Sequence, residues 1–334
     1  MADIAVLDNY GLALPAIVDV GLTAIFAISG FIWRRDVDKV VAFGVPMIGF
    51  GTTLSAVFQG SFYDRDLIIM IFLLVWLVWQ FSFLLYKAMK RGPDPRFDAV
   101  KTQLTKFSVM WIVIAVFAWT QLLPFILYHS PIVGNEGGSG AFQEFEHPTD
   151  YAGVAILAFG TILNVTSDLH KYIWQSRHRH GIMNQGAWAL CRHPSYLGHV
   201  LMMWGVWIMA ITVAIYEDDT FDSRARAAVW ASVVGPIFLT FFTIFVLIPT
   251  AENAAARKHY LHSHGALGDN WRMYQRYVEG TSPLIPFPPP LYRRLPQGVK
   301  HFVFFDLPLN RFDEQTDGHK LTDDSRSRSS ANVE

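Results

Sequence analysis

Residues 67–89 read LIIMIFLLVWLVWQFSFLLYKAM, a stretch in which no charge appears before Lys87. Wound into a helix at about 1.5 Å per residue, it is roughly 30 Å long, the thickness of a bilayer's hydrocarbon core. Six further stretches of comparable length and greasiness lie on either side of it, at about 11–33, 40–60, 107–129, 151–173, 196–216 and 228–250. Across the chain 52% of residues are apolar and only 16% charged, a balance foreign to a soluble domain of 334 residues. The expected fold is all-α, a polytopic membrane bundle of about seven transmembrane helices. It should occupy residues 1–290, with 291–334 as a C-terminal tail.

The first stretch follows Asp3 and Asp8 rather than basic residues, and its length marks it as a retained helix instead of a cleaved signal. Of the 27 Lys and Arg, all but Arg65, Arg224 and Arg226 fall in connections of one parity or after residue 250. Positive charge collects on the cytosolic side of membranes, so the N-terminus is expected outside or in a lumen and residues 251–334 in the cytosol.

The net charge of −1 gives no reason to expect a nucleic-acid partner, and the single cysteine, Cys191, excludes an internal disulfide and a cysteine-based zinc site. His178, His180, His262 and His264 come in pairs without an accompanying acid cluster, so no metal is expected. From about residue 313 the chain is polar and nearly free of large apolar residues, the composition of a disordered end.

Polar groups within hydrocarbon are costly and mark places where function is to be sought. Asp19 lies in the middle of PAIVDVGLTAIF, and Gln80 and Gln121 lie within other spans. In ILNVTSDLHKYIW, residues Asn164, Ser167, Asp168 and Lys171 recur at helical spacing and share one face. That face is either a polar ligand site or an interhelical hydrogen-bond patch. The segment CRHPSYLGH enters a helix with Pro194 in its first turn. Arg192 and His193 beside a helix N-terminus, with Ser195, Tyr196 and His199 following, could hold an anion such as a phosphate, or could anchor the helix at the lipid headgroups. Beyond the last span come Glu252, then Tyr274 and Tyr277 at helical spacing, as packing or as ligand contacts, and a proline-rich strap, TSPLIPFPP.

NVTSDLHKY (164–172), GAWALCRHPSYLG (186–198) and the spacing Tyr274, Tyr277, Ser282, Ile285–Pro286 together resemble the membrane-embedded steroid 5-alpha-reductase-like family. IVDVGLTAIFAISGF and RGPDPRFDAVKTQLTKFSVMW resemble the N-terminal half of a branch of that family whose substrates are mostly unassigned. The likeness covers roughly residues 15–288.

The resemblance implies NADPH binding from the cytosolic side, an endoplasmic reticulum membrane in a eukaryotic source, and reduction of a carbon–carbon double bond conjugated to a ketone in a lipid or steroid-like substrate. It implies that Asn164 and Asp168, with Lys171 on the same face, contact the nicotinamide end or ribose. Arg192, Ser195, Tyr196 and His199 line the cofactor cleft, Arg177 or Arg179 meets phosphate, and Tyr274 and Tyr277 close the cleft. Two departures stand out: Ser195 and His199 replace an Asn and a Glu, and alignment on Tyr86 and Arg91 puts Trp79 where the steroid enzymes carry a ketone-binding Tyr.

Hydride added to an enone drives charge onto the carbonyl oxygen, which calls for a proton donor in a dry pocket. Asp19, expected to remain a proton donor when buried in hydrocarbon, is the first candidate, against a purely structural hydrogen bond. Gln80 and Tyr86 are the next. The R-H-P-x-Y turn also occurs in S-adenosylmethionine-dependent membrane methyltransferases, which usually lack the N-x-x-S-D face and carry paired Glu where this chain has Glu252–Asn253. A non-catalytic sterol- or lipid-binding protein is the third alternative.

Overall fold

The computed structural model describes residues 7–59, 64–91, 97–134, 145–178, 181–216, 221–265, 269–309 and 312–313. Arg179, His180 and the acidic tail after residue 313 lie outside the described residues. Among the described residues, seven helical segments are long and apolar enough to cross a bilayer: 13–32, 34–57, 64–90, 104–121, 148–177, 194–216 and 223–263. The chain is thus a multi-pass, all-helical membrane protein. Among the described residues the sole β pairing is an isolated parallel bridge between Cys191 and Ser282.

The principal helices are α1 (Ala13–Ile32), α2 (Val37–Val57), α3 (Asp64–Arg91), α4 (Leu104–Gln121), α5 (Pro148–Arg177), α6 (Pro194–Ala210), α7 (Ser223–Ala231), α8 (Val234–Phe242), α9 (Ile248–Gly265) and α10 (Asn270–Gly280). Two ends differ from the hydropathy reading, for identifiable reasons. The fourth span stops at Gln121, and a separate short helix, Leu123–Tyr128, starts with Pro124 in its first turn. A proline there has no N–H with which to continue α4. The last span instead runs on past residue 250, because TAENAAARKHY is rich in helix formers and carries no stop signal. Between α8 and α9 it passes through a π turn, Thr243–Leu247. Pro249 cannot donate to the carbonyl four residues back, and a wider turn is one way a helix absorbs that loss.

The chain forms two compact units. The first contains Met1–Ile162 and His199–Leu239, the second Leu163–Gly198 and Thr240–Glu334. The first unit shows the arrangement that lipid favours. Along α1, Ile17, Val20, Ile25, Ile28 and Ile32 are exposed while Asp19, Thr23 and Gly30 are buried. With hydrocarbon as solvent, exposed apolar side chains cost nothing, and close packing with interhelical hydrogen bonds holds helices together. The core collects Ile69, Leu73 and Trp76 of α3, Phe125 and Ile126, Leu157, and Met202, Met203 and Val206 of α6.

At one end of this unit Arg65 forms a two-pronged pair with Asp150, at 2.6 and 2.8 Å, with all four groups of the fork buried. His129 Nε2 lies 3.5 Å from an Asp66 oxygen. Burial lowers the His129 imidazole to about 4, so this contact is one between a neutral ring and a carboxyl group rather than an ion pair.

The α5–α6 crossing in this unit depends on Gly205. A Cβ there would lie 2.6 Å from the main-chain nitrogen of Leu157, and backbone cannot swing aside. Gly205→Ala is expected to destabilise the detergent-solubilised protein by about 1–3 kcal/mol, the usual cost of overpacking. Gly298→Ala, which meets nothing within 4 Å, is expected to leave the melting temperature in place. Equal melting of the two variants would show that the helices do not approach this closely.

The second unit has a small apolar core of Ile244, Ile248 and Leu284, on which Tyr196, Leu197 and Leu307 pack. Its polar residues form the candidate site.

Candidate functional site

The polar face of α5 is built as its spacing predicts. Asn164 and Ser167 are buried, and Asp168 and Lys171 half-buried. Asn164 Nδ2 donates to the main-chain carbonyl of Ser195 at 2.8 Å. The face thus grips the first turn of α6 through its backbone, not through the Ser195 hydroxyl. Trp188 Nε1 donates to the Ser167 carbonyl at 3.1 Å, and Lys171 Nζ sits 3.8 Å from the centre of the Trp188 ring. Ser167 Oγ is buried and has no hydrogen-bond partner among the described residues.

The segment that carries Trp188 is shaped by Gly186, whose φ of +59° suits a residue without a side chain; a Cβ would also press on the His170 imidazole at 3.1 Å. After the Ala187–Leu190 turn the chain is extended at Cys191, where Arg192 N donates to Ser282 O at 2.8 Å and His193 N to Pro283 O at 3.1 Å. This short pairing holds the proline-rich strap beside the start of α6. Tyr277 OH, from α10, donates to the Trp188 carbonyl at 2.7 Å, and Tyr274 OH to the Glu252 carbonyl at 3.3 Å.

Arg192 is the electrostatic centre of the unit. Its Nε lies 3.1 Å from Glu252 Oε1, its Nη2 2.7 Å from Asp306 Oδ1, and its Nη1 donates to Val278 O at 3.3 Å. Tyr292 OH donates to the other Asp306 oxygen at 2.8 Å. Burial works against the Arg192 cation, and the two carboxylates more than offset it, holding the guanidinium above its ordinary value. His193 shares the Glu252 oxygen, Nε2 to Oε1 at 3.3 Å, and stacks on Tyr196 at 5.1 Å. Burial pulls its imidazole below the ordinary value, against the pull of Glu252. Burial likewise raises the Tyr277 phenol, which acts in this structure as a neutral donor.

Lys171 and Tyr277 therefore meet at Trp188, Arg192 and Tyr274 meet at Glu252 with Tyr196 stacked on the His193 that shares it, and Asn164 holds Ser195. Arg177 is exposed at the end of α5. His199 belongs to the first unit, its ring 4.7 Å from Trp76 and 6.3 Å from Phe117, and its Nε2 is buried with no hydrogen-bond partner among the described residues. Asp19 is in the first unit too: 1% exposed, it receives the Thr52 hydroxyl at 3.2 Å. That hydroxyl also lies 2.9 Å from Ile48 O, so its one hydrogen faces two acceptors. On α3, Gln80 is half-buried and Tyr86 is 44% exposed.

Three residues of the assembly escaped sequence reasoning. Trp188 was within a quoted motif but carries no charge to draw attention. Asp306 and Tyr292 lie in the region expected to be tail; the one signal was a single acid in the apolar run HFVFFDLPL.

The family described as "Protein of unknown function (DUF1295)" matches residues 26–277. No curated protein and no solved structure matches the chain.

Proposed function

We propose a function for a chain that belongs to the DUF1295 family, whose members are uncharacterised membrane proteins: NADPH-dependent reduction of a carbon–carbon double bond conjugated to a ketone, in a lipid or steroid-like substrate. The observation that carries this reading is Ser167 Oγ, a buried and unpartnered hydroxyl on the face that also presents Asn164, Asp168 and Lys171. A buried polar atom without a partner is costly, and a carboxamide or ribose hydroxyl of a dinucleotide would satisfy it. NADPH also needs cations for its phosphates, and Lys171 and the exposed Arg177 answer that need. Arg192 already has Glu252 and Asp306, so its part is to hold the turn and the strap in place.

When bound, NADPH supplies the hydride. The protein's own residues then bind and orient it through the α5 face, with Tyr274 and Tyr277 bracing α10 against that assembly. Asp19 donates the proton that completes reduction, with Gln80 and Tyr86 as the other polar groups of this role. The cationic connections favour a cytosolic cofactor side, and the resemblance to steroid 5-alpha-reductases favours the endoplasmic reticulum in a eukaryotic source.

The test is thermal unfolding of the detergent-solubilised protein with NADPH, NADH or S-adenosylmethionine, since a ligand that binds only the folded state raises its melting temperature. NADPH is expected to stabilise most. Asp168→Ala is expected to weaken NADPH by about 1–3 kcal/mol, roughly 5- to 150-fold in Kd, with little loss of protein. Stabilisation by S-adenosylmethionine alone would assign a methyltransferase instead, and normal NADPH binding by Asp168→Ala would remove Asp168 from the site.

A further inference from the structure

The segment after the proline-rich strap is two-faced. Tyr292, Lys300, Phe304 and Asp306 are buried, while Leu291, Phe302, Val303, Phe305 and Leu309 are exposed, Phe302 at 85%. The buried set is well anchored. Asp306 joins Arg192 and Tyr292, Asp306 N donates to Lys300 O at 3.0 Å, and Lys300 Nζ lies 4.8 Å from the centre of the Tyr292 ring. Phe304 packs edge-on against both Phe287 and Tyr292. Phe305 takes a left-handed φ of 57°, unfavourable for a residue with a side chain, and at that turn its ring is left outside while its two neighbours go in. The exposed apolar set is therefore held out by a fixed backbone.

None of these residues belongs to a membrane span, the last of which ends at 263. In water such a row of aromatic and aliphatic side chains would be an aggregation hazard. Leu307 sets its position: it packs on the cluster of Ile244, Ile248 and Leu284, the first two inside the last span, and Leu197 in the first turn of α6 packs on the same cluster. The segment is thus held against the last span rather than away from it. Arg293 and Arg294, both exposed, supply cations suited to lipid phosphate.

We propose that residues 289–309 form an interfacial foot, its exposed apolar residues entering the headgroup–acyl boundary of the same membrane that holds the spans. Apolar side chains beside basic ones, on a segment lying along the interface, are the mark of monotopic anchoring. Such a foot ties the Arg192 cluster to the bilayer through Asp306.

Phe302→Cys, carrying a nitroxide spin label in phosphatidylcholine–phosphatidylglycerol vesicles, tests this. The single native thiol, Cys191, is 1% exposed, and burial pushes it up to about 12, so labelling is confined to the introduced cysteine. The label is expected to be relaxed more strongly by oxygen than by a water-soluble nickel chelate, at a depth just inside lipids labelled at the headgroup. Val303→Cys, 53% exposed, is expected to read the same and serves if Phe302→Cys does not fold. A label as open to nickel as one in bulk water overturns the proposal. So does dipolar broadening between two labels, which would make the face a contact between copies of the chain, or protection from both agents, which would mean protein covers it.

Discussion

Arg192→Ala is expected to cost the protein about 3–5 kcal/mol, the scale on which a buried charge is left without its partner. Two carboxylates, Glu252 and Asp306, would lose their common cation within the second unit. The sign of the effect is easily misread as proof that the pairs stabilise the fold. Taking all three groups out of water is itself expensive, so the intact cluster contributes far less than its removal costs. A triple variant, Arg192→Met with Glu252→Gln and Asp306→Asn, removes the charges together and is expected to recover part of the loss. Thermal unfolding in detergent distinguishes these outcomes, and an Arg192→Ala protein that melts with the parent would falsify the electrostatic account of the cluster.

Asp19→Asn is expected to lower turnover by on the order of 10²-fold or more, the usual scale for losing a positioned general acid. The amide keeps the shape of the carboxyl and an oxygen for the Thr52 hydroxyl, so folding and the stabilisation given by NADPH should survive. A general acid must hold its proton when the substrate reacts, so the parent rate should fall on the alkaline side, and the variant's residual rate should lack that limb. Turnover at the parent rate would send the search for the proton to Gln80, Tyr86 or Gln121. Of these, Gln121 has a buried Oε1 with no hydrogen-bond partner among the described residues.

The spans were legible because lipid demands length and apolarity and little else, and residues 67–89 satisfy both without a competing signal. Their ends were less so. Pro124 cut the fourth span at Gln121, and the Ala-rich run after Pro249 carried the last one past its hydrophobic limit. Hydropathy does not weigh either effect. The α5 face was readable because Asn164, Ser167 and Lys171 recur with the helical period, a local property. The Arg192 cluster was not, because Asp306 lies 114 residues away in sequence, and no period links two groups brought together by tertiary packing. What told against the tail's being idle was the run HFVFFDLPL, apolar around its single acid: it has apolar surface to bury, and of its three phenylalanines the fold buries Phe304 and leaves Phe302 and Phe305 exposed.

The π turn at Thr243–Leu247 sets the phase of everything after it. Such a turn is equivalent to one residue inserted into an α-helix, and each residue advances the helix by about 100°. Glu252 therefore points about a quarter of a turn away from where an unbroken helix from Thr240 would aim it. On the unbroken phase the carboxylate would leave the Arg192 side, and a different residue of the same turn would take its place. The pairing of Glu252 with Arg192 is thus specified partly by how the backbone counts its turns in the membrane, several residues before the acid itself is reached.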